Sequence, residues 1–164
     1  MKKFTYVLWF LAIILNLHGQ PLQAHYKKGL PAFDIIQTDG SHFRASDLKK
    51  DLPVMIVYFD PDCDHCETFI RELMVRSKDF TDVQLLLITY VPIQTVKKFV
   101  SGTGLDKFPG IKVGTEGTAF IVRYHYNVLQ FPYLALHDRD GNLFATYESE
   151  VPGVKELAGL FVRK

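Results

Sequence analysis

Apolar positions in this chain fall into two kinds of run. Val54-Met55-Ile56-Val57-Tyr58-Phe59 and Val83 to Val91 are nearly continuous and rich in β-branched and aromatic residues. Runs of that length and composition predict interior strands buried on both faces, as in a parallel sheet. Between them, Phe69, Ile70, Leu73 and Met74 recur on one helical face with charges elsewhere, predicting an amphipathic helix from about Cys63 to Lys78. Pro92 suits the first turn of a second helix running to about Ser101 and ended by Gly102 and Gly104. Upstream, Ala32 to Ile36 and His42 to Ala45 flank Thr38-Asp39-Gly40-Ser41, a hairpin signal, and Ser46 to Lys50 suits a single helical turn. Downstream, Gly110 to Val113 reads as a short strand and Glu116 to Tyr124 as a helix. Pro132 introduces a strand from Tyr133 to His137, which turns through Asp138-Arg139-Asp140-Gly141-Asn142 into Leu143 to Tyr147. Pro152-Gly153 opens a last helix to about Val162.

The predicted order is therefore ββ–βαβα–(β)α–ββα. Parallel strands with crossover helices, then an antiparallel hairpin and a final helix, describe an α/β protein of thioredoxin-like fold. Its central mixed sheet is flanked by helices and extended by an N-terminal hairpin.

The first 24 residues read differently. Lys2 and Lys3 precede the apolar stretch Tyr6 to Leu15, and small residues stand at Gly19 and Ala24, the layout of a secretory signal peptide. Its apolar core falls short of the roughly 20 residues that span a bilayer. Cleavage near Gly19 or Ala24 would leave one domain, 25–164; an uncleaved membrane anchor is the alternative. The 19 Lys and Arg against 18 Asp and Glu give the whole chain +1. Losing Lys2 and Lys3 leaves 17 against 18, a charge of −1, with no basic run to attract nucleic acid or anionic membrane. A domain of about 140 residues buries roughly 68–70% of its extended-chain surface and needs no disulfide for stability.

That frees the only two cysteines for chemistry. They stand two residues apart in Cys63-Asp64-His65-Cys66, between the first interior strand and the amphipathic helix. C-x-x-C beside a βαβ pattern reads as a dithiol redox motif. Asp62 is expected to cap the helix, placing Cys63 at its first position, where free amides and the helix dipole favour a thiolate. Cys63 would then attack, and Cys66, one turn deeper, would resolve the mixed disulfide. A positive His65 would favour the thiolate, while Asp60, Asp62, Asp64 and Glu67 oppose it by repulsion. Known C-x-x-C proteins span about −270 to −120 mV, or about 7 kcal/mol for two electrons. One histidine against several exposed acids shifts this by about 1–2 kcal/mol, which leaves the direction of electron flow open.

From Gly29 to Phe161 the chain resembles the TlpA/ResA-like branch of the thioredoxin superfamily, related to the AhpC/TSA group. The resemblance rests on Gly29-Leu30-Pro31-Ala32-Phe33, Thr38-Asp39-Gly40, Ser46-Asp47-Leu48-Lys49, Val57 to Cys66, Tyr126 to Pro132 and Asp138-Arg139-Asp140-Gly141, in family order. It implies an exported, periplasmic thiol–disulfide oxidoreductase, monomeric, needing no cofactor beyond a redox disulfide Cys63–Cys66. Its partners would be protein thiols and disulfides together with a redox partner. It also implies that Pro132 is the cis-proline facing the dithiol, with Phe131 offering its backbone and ring to a substrate; an ordinary trans proline opening an edge strand is the alternative. Three positions depart from the family pattern: Asp62 stands where Trp is common, Val57 replaces a buried acid and Phe69 replaces a glutamate.

Other readings stay open at this level. The cysteines could form a structural bridge or a vestigial one in a binding module. With His65, His125 and His137 they could form a Sco-like copper site, although that spacing is usually one residue longer. A peroxiredoxin would need Thr three residues before its reactive cysteine, where Asp60 and Cys63 stand. Asp138 to Gly141 lacks the further ligands of a calcium loop, and His125 and Arg123 are expected to serve packing or the surface.

Overall fold

A computed structural model describes residues 29–162. The signal peptide expected over 1–24 lies outside the described residues. Strands β1 (Asp34–Gln37) and β2 (His42–Arg44) form the N-terminal hairpin, followed by a 3-10 turn at Ala45–Asp47. Then come β3 (Val54–Tyr58), α1 (Asp64–Val75), β4 (Gln84–Thr89), α2 (Ile93–Thr103) and β5 (Ile111–Thr115). Helix α3 (Ile121–Tyr126), β6 (Tyr133–His137), β7 (Leu143–Glu148) and α4 (Val154–Phe161) complete the chain. One seven-stranded sheet has the order β2-β1-β5-β4-β3-β6-β7. Its centre, β5-β4-β3, is parallel, and β1 and β6 join it antiparallel on either side. This is the mixed α/β architecture read from the sequence.

Strand alternation divides the core. Met55, Val57, Phe59, Leu85, Leu87, Leu134 and Leu136 face one side, where they pack with α1, α2 and α4 through Ile70, Leu73, Val96, Phe99 and Leu157. Val54, Ile56, Tyr58, Leu86, Ile88, Tyr133 and Ala135 face the other, beneath Val122 and Tyr126 of α3. Because β3 is buried on both faces, every one of its side chains is apolar or, in Tyr58, supplied with a partner.

Three boundaries differ from expectation. The backbone leaves helical geometry at Arg76 (φ −100°, ψ 14°), and a 3-10 turn at Ser77–Phe80 brings Phe80 edge-on to Phe161, with centroids 6.3 Å apart. The helix expected over Glu116 to Tyr124 is broken at Phe120, which is left-handed (φ 48°, ψ 30°) between a 3-10 turn and α3. Strand β5 continues to Thr115 because Gly114 and Thr115 pair with β1, an interaction invisible to local pattern.

Candidate active site

The dithiol follows the C-terminal end of β3. Asp60 builds the turn: its Oδ1 accepts from the Asp62 amide at 2.9 Å and its carbonyl from the Cys63 amide at 3.1 Å. That turn leaves Cys63 extended (φ −98°, ψ 111°), and the first helical residue is Asp64. Asp62 is therefore not the cap, contrary to expectation. Cys63 occupies the cap, and its own Sγ accepts the Cys66 amide at 3.2 Å. A helix amide that would otherwise be free thus points at the sulfur itself.

The two cysteines differ in setting. Cys63 is partly exposed, whereas Cys66 is fully buried. Burial pushes the Cys66 thiol well up, reinforced by its hydrogen bond with Cys63 and opposed by the Asp60 backbone amide. His65 is exposed on the first turn of α1. It lines a cleft of about 510 Å³ together with Phe69, Glu72, Pro132 and Glu150. The peptide Phe131–Pro132 is cis. Pro132 thus faces the same cleft as the helix that carries the dithiol. A slightly larger cleft, about 580 Å³, lies at the opposite, N-terminal ends of β4 and β5, and no residue of the helix that carries the dithiol lines it. Position relative to the dithiol, not size, marks the functional cleft.

Behind Phe131 stands an aromatic wall that the sequence did not disclose. The Phe131 ring stacks on Tyr58 and Tyr90 at centroid distances of 6.1 and 6.0 Å. The Tyr90 hydroxyl donates to Asp60 Oδ2 at 2.5 Å, and this bond pushes its titration upward. The wall is thereby tied to the turn that presents Cys63. Tyr58 donates to Glu116 Oε1 at 2.7 Å, and burial followed by the Glu116 bond holds its phenol neutral. Glu116, only 7% exposed, also accepts the amides of Val122 at 2.8 Å and Arg123 at 3.3 Å at the start of α3. Arg123, expected to serve only the surface, is half-buried, with its guanidinium over the rings of Tyr90, Phe120 and Phe131. Asp60, Tyr58, Tyr90 and Glu116 had no legible signal beyond a polar group beside an apolar run, since their partners are distant in sequence.

The histidines considered for copper do not converge. His125 Nε2 lies 2.8 Å from the Gly29 carbonyl. His137 is buried between the Tyr126 hydroxyl at 2.7 Å and the Gly141 carbonyl at 3.0 Å. Among the described residues, no three His, Cys, Asp or Glu side chains are placed to hold a metal ion. In the Asp138 to Asn142 turn, the Asp138 carboxylate is engaged by the amides of Asp140 and Asn142.

Comparison with known proteins agrees with this architecture. A secreted disulfide oxidoreductase of Mycobacterium tuberculosis, homologous to E. coli DsbE, superposes with a TM-score of 0.64 at 18% identity, covering 78% of this chain and 92% of that one. StoA from Bacillus subtilis gives 0.63 at 14% identity, covering 80% and 97%. A peroxiredoxin-like protein from Aquifex aeolicus gives 0.66 at 15% identity, covering 82% and 85%. At such identities these likenesses establish the thioredoxin-like fold. No functionally curated protein matches the sequence. The AhpC/TSA family model, however, matches residues 27–162, and the chain belongs to the AhpC/TSA family.

Proposed function

We propose that this chain is an exported thiol–disulfide oxidoreductase acting on protein partners through Cys63 and Cys66. The observation that carries the reading is the asymmetry of the pair: an accessible sulfur at the helix N-terminus beside a buried thiol held protonated. The Cys63 thiolate attacks a partner disulfide, forming a mixed disulfide and releasing one partner thiolate, which takes up a proton. Cys66 then gives up its proton and attacks the Cys63 sulfur, releasing the second partner thiol. Two electrons and two protons pass to the partner, and the protein is left with a Cys63–Cys66 disulfide. The steps run equally well in reverse, and the relative potentials of the partners set the direction.

Phe131 and Pro132 support the same reading. Among the described residues, neither the N–H nor the C=O of Phe131 has a backbone partner, so both can pair with an extended substrate strand. His65, on the rim of the shared cleft, supplies positive charge to the attacking sulfur when protonated. Export rests on the leader-like segment 1–24, and among the described residues no helix is long and apolar enough to cross a membrane.

Two measurements test the proposal. In the reduced protein, Cys63 should alkylate at least about tenfold faster than Cys66 near neutral pH, because Cys63 is partly exposed whereas the Cys66 thiol is buried and held protonated. A Cys66→Ser variant should accumulate a mixed disulfide with a thiol-bearing partner, since nothing remains to resolve it. Failure of the native pair to exchange with either glutathione or a thioredoxin-type couple over hours would sink the oxidoreductase reading in favour of a structural bridge.

A further inference from the structure

Arg123 is placed for more than packing. It sits on α3 with its guanidinium 5.3 Å from the ring centre of Tyr90, 5.8 Å from Phe120 and 5.9 Å from Phe131. The rings are themselves fixed, Tyr90 lying 6.2 Å from Phe120 and 6.0 Å from Phe131. The nearest buried acid does not neutralise it. Glu116 spends its oxygens on the Tyr58 hydroxyl and on the backbone amides of Val122 and Arg123. Glu148, across the loop, accepts the amides of Leu129 and Gln130. Arg44, Arg71 and Arg76 all pair with carboxylates, whereas the Arg123 guanidinium has no ion-pair or hydrogen-bond partner among the described residues.

Arg123 also lines a cleft of about 320 Å³ together with Phe120, Tyr124, Val128 and Leu129. Tyr124 and Leu129 are 76% and 70% exposed, large apolar side chains held at the surface beside the Phe131–Pro132 loop. A stacked guanidinium is weakly hydrated and already oriented, so pairing it with a carboxylate costs little desolvation or side-chain entropy. The dithiol loop carries Asp62 and Asp64, both exposed, and Asp60, whose carboxylate is engaged by the Tyr90 hydroxyl. An acidic group would be repelled from the dithiol loop and drawn to Arg123, which gives a bound chain a direction as well as a position.

We propose that Arg123 is a specificity-determining residue that binds a carboxylate on the extended polypeptide whose cysteine reaches Cys63. This inference rests on the thiol–disulfide reading above. The carboxylate could belong to an acidic side chain or to a chain terminus; both offer the same bidentate partner, and the test separates them.

The probes are C-terminally amidated peptides, each with one cysteine held as a mixed disulfide with 2-mercaptoethanol. Glu, Gln or Lys stands two to four residues to either side of that cysteine, and a further Gln peptide keeps its free terminal carboxylate. Reduced protein is the reductant: Cys63 attacks the peptide sulfur, 2-mercaptoethanol leaves and takes a proton, and Cys66 closes the protein disulfide while freeing the peptide thiol. At low salt the Glu peptide, the free-carboxylate peptide or both should react about fivefold faster than the amidated Gln peptide, the worth of one partly exposed ion pair. The ratio should shrink as salt rises. It should fall to about one in Arg123→Gln, survive in part in Arg123→Lys, and turn toward the Lys peptide in Arg123→Glu. Reading a ratio within each variant cancels any general loss of folded protein. Equal rates for all peptides in the native protein, or a preference unchanged in Arg123→Gln, would overturn the inference alone. No exchange with any peptide would overturn the oxidoreductase reading and this inference with it.

Discussion

At the scale of single residues, the site depends on polar groups whose partners were supplied from far along the chain. Cys63 and Cys66 were legible because their spacing is chemical information in itself. Asp62 was misplaced by one position because a cap is decided by which side chain reaches the free amides, and Asp60 had already turned the chain so that Cys63 does so. Glu116 shows the same dependence more sharply. It stands 58 residues from Tyr58, yet one carboxylate holds that hydroxyl and the first amides of α3. Replacing Glu116 with Ala would strand buried donors and should cost about 2–4 kcal/mol of unfolding free energy, measurable by urea titration. Glu116→Gln keeps one acceptor oxygen and should cost less. If the two losses were equal, the acceptor role assigned to Glu116 would be wrong.

At the scale of elements, periodicity and turn residues located the strands and all helices but α3, which was expected to begin at Glu116, while their ends answered to contacts. Helix α2 illustrates a local ending: Gly104 closes it in left-handed geometry (φ 77°, ψ 21°), where a residue without Cβ is favoured. Strand β5 illustrates a non-local one. A Cβ on Gly114 would lie 2.7 Å from the Ile36 carbonyl oxygen of β1, so the hairpin can dock only against glycine. Gly114→Ala should therefore destabilise by about 1–3 kcal/mol, the usual range for overpacking. Amide exchange should quicken first in β1 and β2, leaving the β3–β4 pairing protected. Uniform quickening across the sheet would mean that the hairpin is not a separable unit.

At the scale of the whole molecule, one buried histidine couples stability to pH. The Gly141 carbonyl can only accept, so His137 carries its proton on Nδ1 and takes the Tyr126 hydroxyl proton on Nε2. Burial lowers its affinity for a second proton, with the Gly141 bond partly opposing. The unfolded chain, with histidine near its ordinary pKa of about 6.5, binds more protons below that pH than the folded one does. The contribution of His137 is thus intact above about pH 6.5 and lost as pH falls below it, with a slope approaching about 1.4 kcal/mol per unit. Thermal or chemical unfolding from pH 8 to 5 should show that decline in the native protein and a flatter profile in His137→Gln. Parallel profiles would show that other groups dominate.

Hydrophobic periodicity, cysteine spacing and turn residues determined the α/β order, the two buried interior strands and the position of the dithiol between a strand and a helix. These are local properties, set within a few residues by side-chain volume, pleat and helical repeat. The setting of that dithiol was not local. The sheet order brought Glu116 from the end of β5, Arg123 from α3, Tyr90 from the end of β4 and Phe131 from the loop before β6 together around Tyr58 and Tyr90, beside the Asp60 turn that presents Cys63. Cys66 was buried by the core on one face of the sheet, and that convergence set an aromatic wall with an unpaired guanidinium beside the turn that presents Cys63. Burial and hydrogen bonding depend on what surrounds a group in space, and no window of sequence contains that surround.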